Sequence, residues 1–231
     1  MIHMQLSYFA SPFVRRRAAH HRAAPWLLLT PILALGISGC QLGDASASAR
    51  GQQLFKTCVP CHGQRGEGRP DLAAPNIAGM GAWYVQMQLQ SYRSGLRGMD
   101  FNDKEGMRMR PMAISLPFDA DVKAVSDFVA NLPAPTHVGT VAGDAQAGQA
   151  LYAVCGACHG PSGAGNEAVK APRLAGVDGT YLALQLEKYK SGVRGANPND
   201  VQGLLMRTAV APLSDDKAIQ DVVAYIGTLK P

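Results

Sequence analysis

The chain has 231 residues, of which 47% are hydrophobic, and a formal net charge of +5. Its basic balance lies near the N-terminus, where Arg15, Arg16, Arg17 and Arg22 precede the first acidic residue, Asp44. The rest carries 18 Lys and Arg against 17 Asp and Glu, and so lacks the basic excess that nucleic-acid binding requires. We therefore expect no nucleic-acid partner, and the length allows one large domain or two small ones.

Residues 1–39 have the pattern of a bacterial signal peptide. An apolar run over residues 26–37 is interrupted by a proline, and it is too short and too broken for a comfortable membrane span. Small residues directly precede Cys40, which resembles a lipoprotein signal in which the cysteine is lipidated and becomes the mature N-terminus. An ordinary cleaved signal is the alternative. The lipoprotein interpretation predicts a membrane anchor at Cys40 on the periplasmic side, with a flexible tether over residues 40–50.

Residues 51–132 and 144–231 contain the same pattern twice, with matching residues 97 positions apart; Tyr92, for example, is matched by Tyr189. Self-similarity at a fixed period indicates internal duplication, so we predict two tandem domains over these ranges. Residues 133–143 contain prolines followed by glycines, and we predict an extended linker there.

Apolar spacings of three and four residues predict helices in each copy, and no alternating strand pattern is present. Three helices are predicted per copy: one leading into a cysteine motif, one in the middle and one at the end. They begin at about 51, 82 and 119 in the first copy and at about 147, 179 and 215 in the second. Gly95 and Gly192 stand where the C-terminal caps of the middle helices would lie. The predicted fold class is all-α.

The strongest functional signal is a C-x-x-C-H motif in each copy. Its two thiols can bind the edge of a porphyrin as thioethers, and its histidine can become the proximal iron ligand. The residues are Cys58, Cys61 and His62 in the first copy, and Cys155, Cys158 and His159 in the second. A zinc site built from the two cysteine pairs is the alternative, but zinc does not explain the histidine that follows both pairs. Two covalently attached c-type haems are therefore predicted.

A methionine can close the axial position opposite each histidine. The first copy offers Met107, Met109 and Met112, whereas the second has only Met206 in the matching stretch. The constant offset pairs Met109 with Met206, which are the predicted ligands, and Met112 is the alternative in the first copy. Methionines that only fill gaps in a core are the other interpretation. An iron held by histidine and methionine exchanges electrons and has no open position for oxygen or peroxide.

Arg97 and Arg194 follow the middle helices at matching positions. They could hold a haem propionate through charge-assisted hydrogen bonds, or they could be solvated arginines at helix ends. Both interpretations remain open from the sequence.

These features resemble the dihaem cytochromes c of the cytochrome c4 group over about Gly51 to Leu229. The resemblance rests on the tandem haem motifs, the Pro-x-x-Ala-Gly loops, the Gly-x-Arg-Gly ends of the middle helices and the Met-Arg stretches. It implies two class I cytochrome c domains whose haems are close enough for internal electron transfer. It also implies that the carbonyls of Pro75 and Pro172 accept the second ring proton of the proximal histidines; ordinary loop prolines are the alternative.

Histidine and methionine ligation raises the reduction potential, which suits a carrier that accepts electrons from a quinol-oxidising complex, and the resemblance implies delivery to a terminal oxidase. We therefore expect an electron carrier of the respiratory chain rather than an enzyme. One alternative is an obligate cytochrome subunit of a larger oxidase or dehydrogenase. The other is a dihaem peroxidase, which needs one iron that can open a coordination position.

Overall fold

The structure, a computed structural model, describes residues 42–135 and 138–230. The predictions for residues 1–39 and for Cys40 lie outside the described residues. Within the described ranges the chain forms nine α-helices and no β-strand, which confirms the all-α fold. The helices are α1 (Leu42–Phe55), α2 (Val59–His62), α3 (Ala82–Ser94), α4 (Lys104–Ile114), α5 (Asp119–Ala130), α6 (Ala145–His159), α7 (Gly179–Ser191), α8 (Val201–Val210) and α9 (Asp216–Ile226).

Helices α1 to α5 form a first domain and helices α6 to α9 form a second. In each, the N-terminal helix crosses the C-terminal helix at a glycine, α1 on α5 and α6 on α9. A Cβ atom at Gly51 would overlap the carbonyl oxygen of Ala124, and one at Gly148 would overlap that of Asp221. Glycine is therefore needed at both crossings, because any other residue would force the two backbones apart.

Each domain has its own apolar core beside this crossing. Aromatic pairs span the crossing helices, with ring centroids 5.3 Å apart for Phe55 and Phe128 and 5.2 Å apart for Tyr152 and Tyr225. The buried apolar residues of the first core include Leu89, Leu116, Val122, Val125 and Val129, and those of the second include Leu182, Val210, Ile219, Val222 and Ile226. The duplicated sequence thus builds two equivalent cores.

The middle helices end as the sequence predicts. Gly95 and Gly192 adopt positive φ values of 81° and 80°, and the N–H of each donates back to the carbonyl three residues earlier. The left-handed conformation suits glycine, which has no Cβ to clash. Both helices therefore stop at the same point of the repeat.

The two domains contact each other through paired polar bonds. Asn76 donates from Nδ2 to the Gly176 carbonyl over 2.8 Å, and its Oδ1 accepts from the Asp178 N–H over 2.9 Å. Arg173, the counterpart of Asn76 in the repeat, donates to the Ala78 carbonyl over 3.3 Å. The same repeat position thus contributes an interface side chain from both sides.

The linker between the domains is hydrogen-bonded to the second domain. The N–H of Gly139 donates to Asp178 Oδ2 over 3.0 Å, and the Gly139 carbonyl accepts from the N–H of Gly179 over 2.8 Å. Val141 packs against the second core. The described residues of the linker therefore run along this domain.

Two helical segments differ from the sequence prediction. Helix α1 begins at Leu42 rather than near Gly51, so the flexible tether predicted over residues 40–50 is wrong for residues 42–50. The segment lacks apolar periodicity, but it contains no proline, and Arg50 Nε donates to Asp121 Oδ1 over 2.8 Å. This hydrogen bond joins α1 to α5. The sequence pattern does not predict it, because Arg50 by itself is only a polar residue.

Helices α4 and α8, which carry the candidate methionine ligands, were not predicted. Each begins at an aspartate whose side chain accepts from a backbone N–H three residues on, Asp103 from Gly106 and Asp200 from Gly203. Such N-caps stabilise a helix by about 1 kcal/mol. Pro111 lies inside α4. Proline is unfavourable in a helix interior, so the sequence pattern of this segment does not predict a helix.

None of the described helices combines the length and the apolar character needed to cross a membrane.

Candidate haem sites

Both C-x-x-C-H motifs lie at the end of the N-terminal helical segment. In the first domain the motif follows α1 and forms the short helix α2, with Cys58 as its N-cap, and in the second it forms the last turn of α6. None of the four motif cysteines is paired in a disulfide, so all four are available for haem attachment. Cys58 and Cys155 are half-buried, and burial raises the pKa of each thiol, whereas Cys61 and Cys158 are exposed. Each motif thus presents one thiol inside its cleft and one at the rim.

The motif histidines are buried and held by one hydrogen bond each. Nδ1 of His62 donates to the Pro75 carbonyl over 2.9 Å, and Nδ1 of His159 donates to the Pro172 carbonyl over 2.7 Å. Burial lowers the pKa of both imidazoles, although the carbonyl bond opposes this effect. Because Nδ1 carries the bonded proton, Nε2 of a neutral ring is the nitrogen left to bind a metal. The structure thus brings each histidine together with the proline expected to orient it.

The candidate methionines lie on α4 and α8 at equivalent places. Met109 is half-buried against the first core and lines the same cleft as His62. Met206 is half-buried against the second core and lines the cleft of His159. Met112 also lines the first cleft but is 45% exposed, whereas Met107 is 37% exposed and is not part of the lining. Burial therefore favours Met109 over both neighbours.

The walls of both clefts are mainly apolar. The first is lined by residues that include Ile77, Leu89, Leu116, Val125 and Val129, and the second by residues that include Leu174, Leu182, Leu186, Val210 and Leu213. Thiols at the edge, an oriented imidazole, a thioether and apolar walls together match what a covalently attached haem requires. No three His, Cys, Asp or Glu side chains in the described ranges cluster as a metal site, which disfavours zinc.

The two arginines singled out in the sequence are buried at the domain interface. Arg97 and Arg194 are each 6% exposed, so the solvated helix-end interpretation is wrong. Arg97 donates to Gln88 Oε1 over 2.5 Å and to Gln185 Oε1 over 3.2 Å. Arg194 donates to Gln185 Oε1 over 2.8 Å and to Gln88 Oε1 over 3.0 Å. The four side chains form a closed ring with two members from each domain.

This ring leaves donors unused on both arginines. The Nε atoms of Arg97 and Arg194 are buried without a hydrogen-bond partner, and within the described residues no carboxylate bonds to either guanidinium. Unpaired buried cations are costly, and a haem propionate would supply the missing charge and acceptor. Arg97 lines both clefts and Arg194 lines the second. The orphaned donors therefore fit the group that the cysteine motifs imply.

The glutamines of this ring were missed in the sequence. Gln88 and Gln185 occupy the same repeat position on α3 and α7, and an amide repeated at one position was the available signal. An amide on an otherwise apolar helix face indicates a polar partner, but only the docked domains show that the partner is an arginine of each domain.

A helical fold built twice around such a ligand set is that of a c-type cytochrome with two haems. The family model for cytochrome c matches residues 48–133 and 145–230. Cytochrome c4 of Azotobacter vinelandii is 31% identical over 215 residues, which cover 86% of this chain and 96% of that relative. The crystal structure of reduced recombinant cytochrome c4 from Pseudomonas stutzeri has a TM-score of 0.64 and 29% identity, covering 79% of this chain and 98% of that one.

The thiosulfate dehydrogenase electron acceptor of Stutzerimonas stutzeri (strain A1501) is 29% identical over 84% of this chain and 93% of that relative. The chain belongs to the cytochrome c family, as a dihaem member similar to cytochrome c4. It holds two c-type haems and carries electrons between redox partner proteins. A bound haem supplies an iron that cycles between its ferrous and ferric forms.

Proposed function

We propose that this protein carries electrons in the periplasm from a quinol-oxidising complex to a terminal oxidase. In this proposal the iron of the first domain is held by His62 and Met109, and that of the second by His159 and Met206. The supporting observation is that each cleft presents both an oriented, buried histidine and a half-buried methionine. Two axial ligands leave the haem iron without an open coordination position, so such a site exchanges electrons and binds no substrate.

The axial ligands suit the high-potential segment of a respiratory chain, between the quinol-oxidising complex and the oxidase. Histidine and methionine ligation raises the reduction potential of a c-type haem, which favours uptake of electrons from a quinol-oxidising complex and their delivery to an oxidase. The apolar cleft walls act in the same direction, because burial disfavours the more highly charged ferric state. The protein would then serve as a carrier and not as a catalyst.

The proposal includes a lipid anchor at Cys40, downstream of a signal peptide over residues 1–39. Its support is the run of small residues before Cys40 and the fact that all four other cysteines belong to haem motifs. Mass spectrometry of the purified mature protein tests it. A diacylated N-terminal Cys40 is expected, and an unmodified N-terminus beyond residue 40 would contradict the anchor.

Electron transfer with purified partners tests the proposed path. Stopped-flow mixing of the reduced protein with a terminal oxidase, and of the oxidised protein with a quinol-oxidising complex, is expected to give rapid, salt-dependent transfer in both steps. Failure of both partners to react would contradict the proposed path, but it would not affect the conclusion that the protein holds two haems.

A second candidate function is to accept electrons from a periplasmic dehydrogenase. It is favoured by the similarity to a protein named as the electron acceptor of thiosulfate dehydrogenase. Co-purification with a large catalytic subunit would favour it over a free shuttle. A peroxidase requires an open iron, and two low-spin His/Met signals in electron paramagnetic resonance would exclude that reaction.

A further inference from the structure

One buried cluster of charged side chains at the domain interface has no equivalent at the corresponding positions of the other repeat. Lys188 of α7, in the second domain, reaches the N-terminal end of α4 in the first. Its Nζ donates to Asp103 Oδ1 over 2.6 Å and to Glu105 Oε2 over 2.5 Å. A single cation from one domain thus pairs with two carboxylates of the other.

The cluster is buried and lies in the wall of the first cleft. The side chains of Lys188 and Asp103 are 7% and 2% exposed, whereas Glu105 is 29% exposed. All three residues line the cleft that contains His62 and Met109. Charges in such a place are weakly screened by solvent, so they act strongly on a neighbouring redox centre.

The corresponding positions in the other half of the repeat are different. Ser91, Asp200 and Gln202 stand where Lys188, Asp103 and Glu105 have their counterparts, and all three line the second cleft. The second site therefore has one carboxylate and no lysine at these positions. Both clusters carry a net charge of −1, but the first reaches it only because Lys188 offsets an additional carboxylate.

We propose that Lys188 is a tuning residue of the first haem site, supplied across the interface by the second domain. Its positive charge keeps the two carboxylates of α4 from stabilising the ferric state of the first haem. Removal of Lys188 leaves a charge of −2 beside the first haem, so its reduction potential falls while that of the second stays. The potential of one haem thereby depends on the docking of the other domain. This inference rests on the proposed assignment of the first haem to the cleft of His62 and Met109.

The test is a redox titration of the holoprotein and its Lys188→Met variant. Each haem is assigned by nuclear magnetic resonance contacts between its thioether protons and the cysteines of its own domain. At a fixed ambient potential the reduced-to-oxidised ratio of the first haem is expected to fall by about threefold to tenfold. The ratio of the second haem is expected to change much less.

Matched variants separate tuning from a general effect of charge. Lys190→Met removes the same charge from the same helix at an exposed position and is expected to leave both ratios unchanged. Glu105→Gln is expected to raise the ratio of the first haem, and the Lys188→Met, Glu105→Gln double variant to return it towards the original value. Ser91→Lys places the cation at the equivalent position and is expected to raise the ratio of the second haem.

An unchanged first-haem ratio in Lys188→Met, with both haems and the domain contact intact, overturns the proposal. If that variant does not fold, an unchanged ratio in Glu105→Gln overturns it instead. The potentials can be read whatever the sixth ligand is. A wrong ligand assignment therefore appears in the absorption spectrum of the unmodified protein, and a wrong tuning role appears in the titrations.

Discussion

Arg97 and Arg194 lie on opposite sides of the domain interface and share both of their acceptors, the Oε1 atoms of Gln88 and Gln185. Each guanidinium also lies over a tyrosine ring of its own domain, Tyr92 at 4.4 Å and Tyr189 at 4.5 Å from the centroid. Two like charges are thus held together in a buried place, and no carboxylate in residues 42–135 or 138–230 bonds to either of them. Such an arrangement requires further negative charge for stability, and we propose that the haem propionates would supply it.

Replacement of Arg97 tests this dependence. Arg97→Met removes one of the two arginine donors to each glutamine oxygen, and it also removes the cation that we propose pairs with a haem propionate. The free energy of unfolding of the holoprotein is therefore expected to fall by about 3 kcal/mol or more. Urea denaturation followed by haem absorbance measures it. Arg65→Met, at an exposed position, is the control and is expected to change stability by less than about 0.5 kcal/mol. Equal effects of the two variants would show that Arg97 holds no buried anion.

The axial methionines can be separated by leucine substitutions. Met109→Leu is expected to abolish half of the methionine-to-iron absorption band of the oxidised protein, and Met206→Leu the other half, because each thioether binds one iron in the proposed ligation. Met112→Leu is expected to retain the full band, since this side chain is 45% exposed and only Met109 packs into the first core. A loss of band in Met112→Leu, together with its retention in Met109→Leu, would reverse the assignment.

The helix crossings depend on glycine in both domains. An alanine normally stabilises a helix interior by about 1 kcal/mol relative to glycine. At Gly51 and Gly148, however, the added methyl group overlaps the carbonyl oxygens of Ala124 and Asp221, so the helices must separate. Gly51→Ala and Gly148→Ala are therefore each expected to destabilise the protein by about 1–3 kcal/mol in thermal or urea unfolding. Gln52→Ala, on the exposed face of α1, is the control, and stabilisation by Gly51→Ala would contradict the crossing geometry.

Much of each haem site can be predicted from the sequence, because local chemistry decides it. The C-x-x-C-H motif places thiols and imidazole within one or two helical turns, and the constant offset selects one methionine from three. The burial of Arg97 could not be predicted, because an arginine after a helix has the same sequence whether it faces water or a second domain. The ion pairs of Lys188 could not be predicted either. Its partners, Asp103 and Glu105, lie more than eighty residues earlier in the chain and contact it only when the domains dock.

The pH dependence of stability should reveal the buried lysine. Burial alone would raise the pKa of Asp103, but the hydrogen bond and charge of Lys188, together with the Gly106 N–H and the charge of Arg97, hold this pKa below its ordinary value. Lys188 also lowers the pKa of Glu105. A carboxylate with a lowered pKa contributes stability above the unfolded pKa of about 3.9, and this contribution is lost as the pH falls through the folded value.

In Lys188→Met the burial of Asp103 is no longer opposed by the lysine, so its pKa is expected to rise above the unfolded value. The ionised carboxylate then destabilises the folded state at neutral pH by about 3–5 kcal/mol, and this penalty disappears as the pH falls and the group is protonated. Urea unfolding at several pH values should therefore show a large difference from the unmodified protein near pH 7 that narrows towards about pH 4. Lys190→Met is expected to show no such pH-dependent difference, because its side chain is exposed. A difference in Lys188→Met that stays constant with pH would mean that Asp103 is not the group left without its partner.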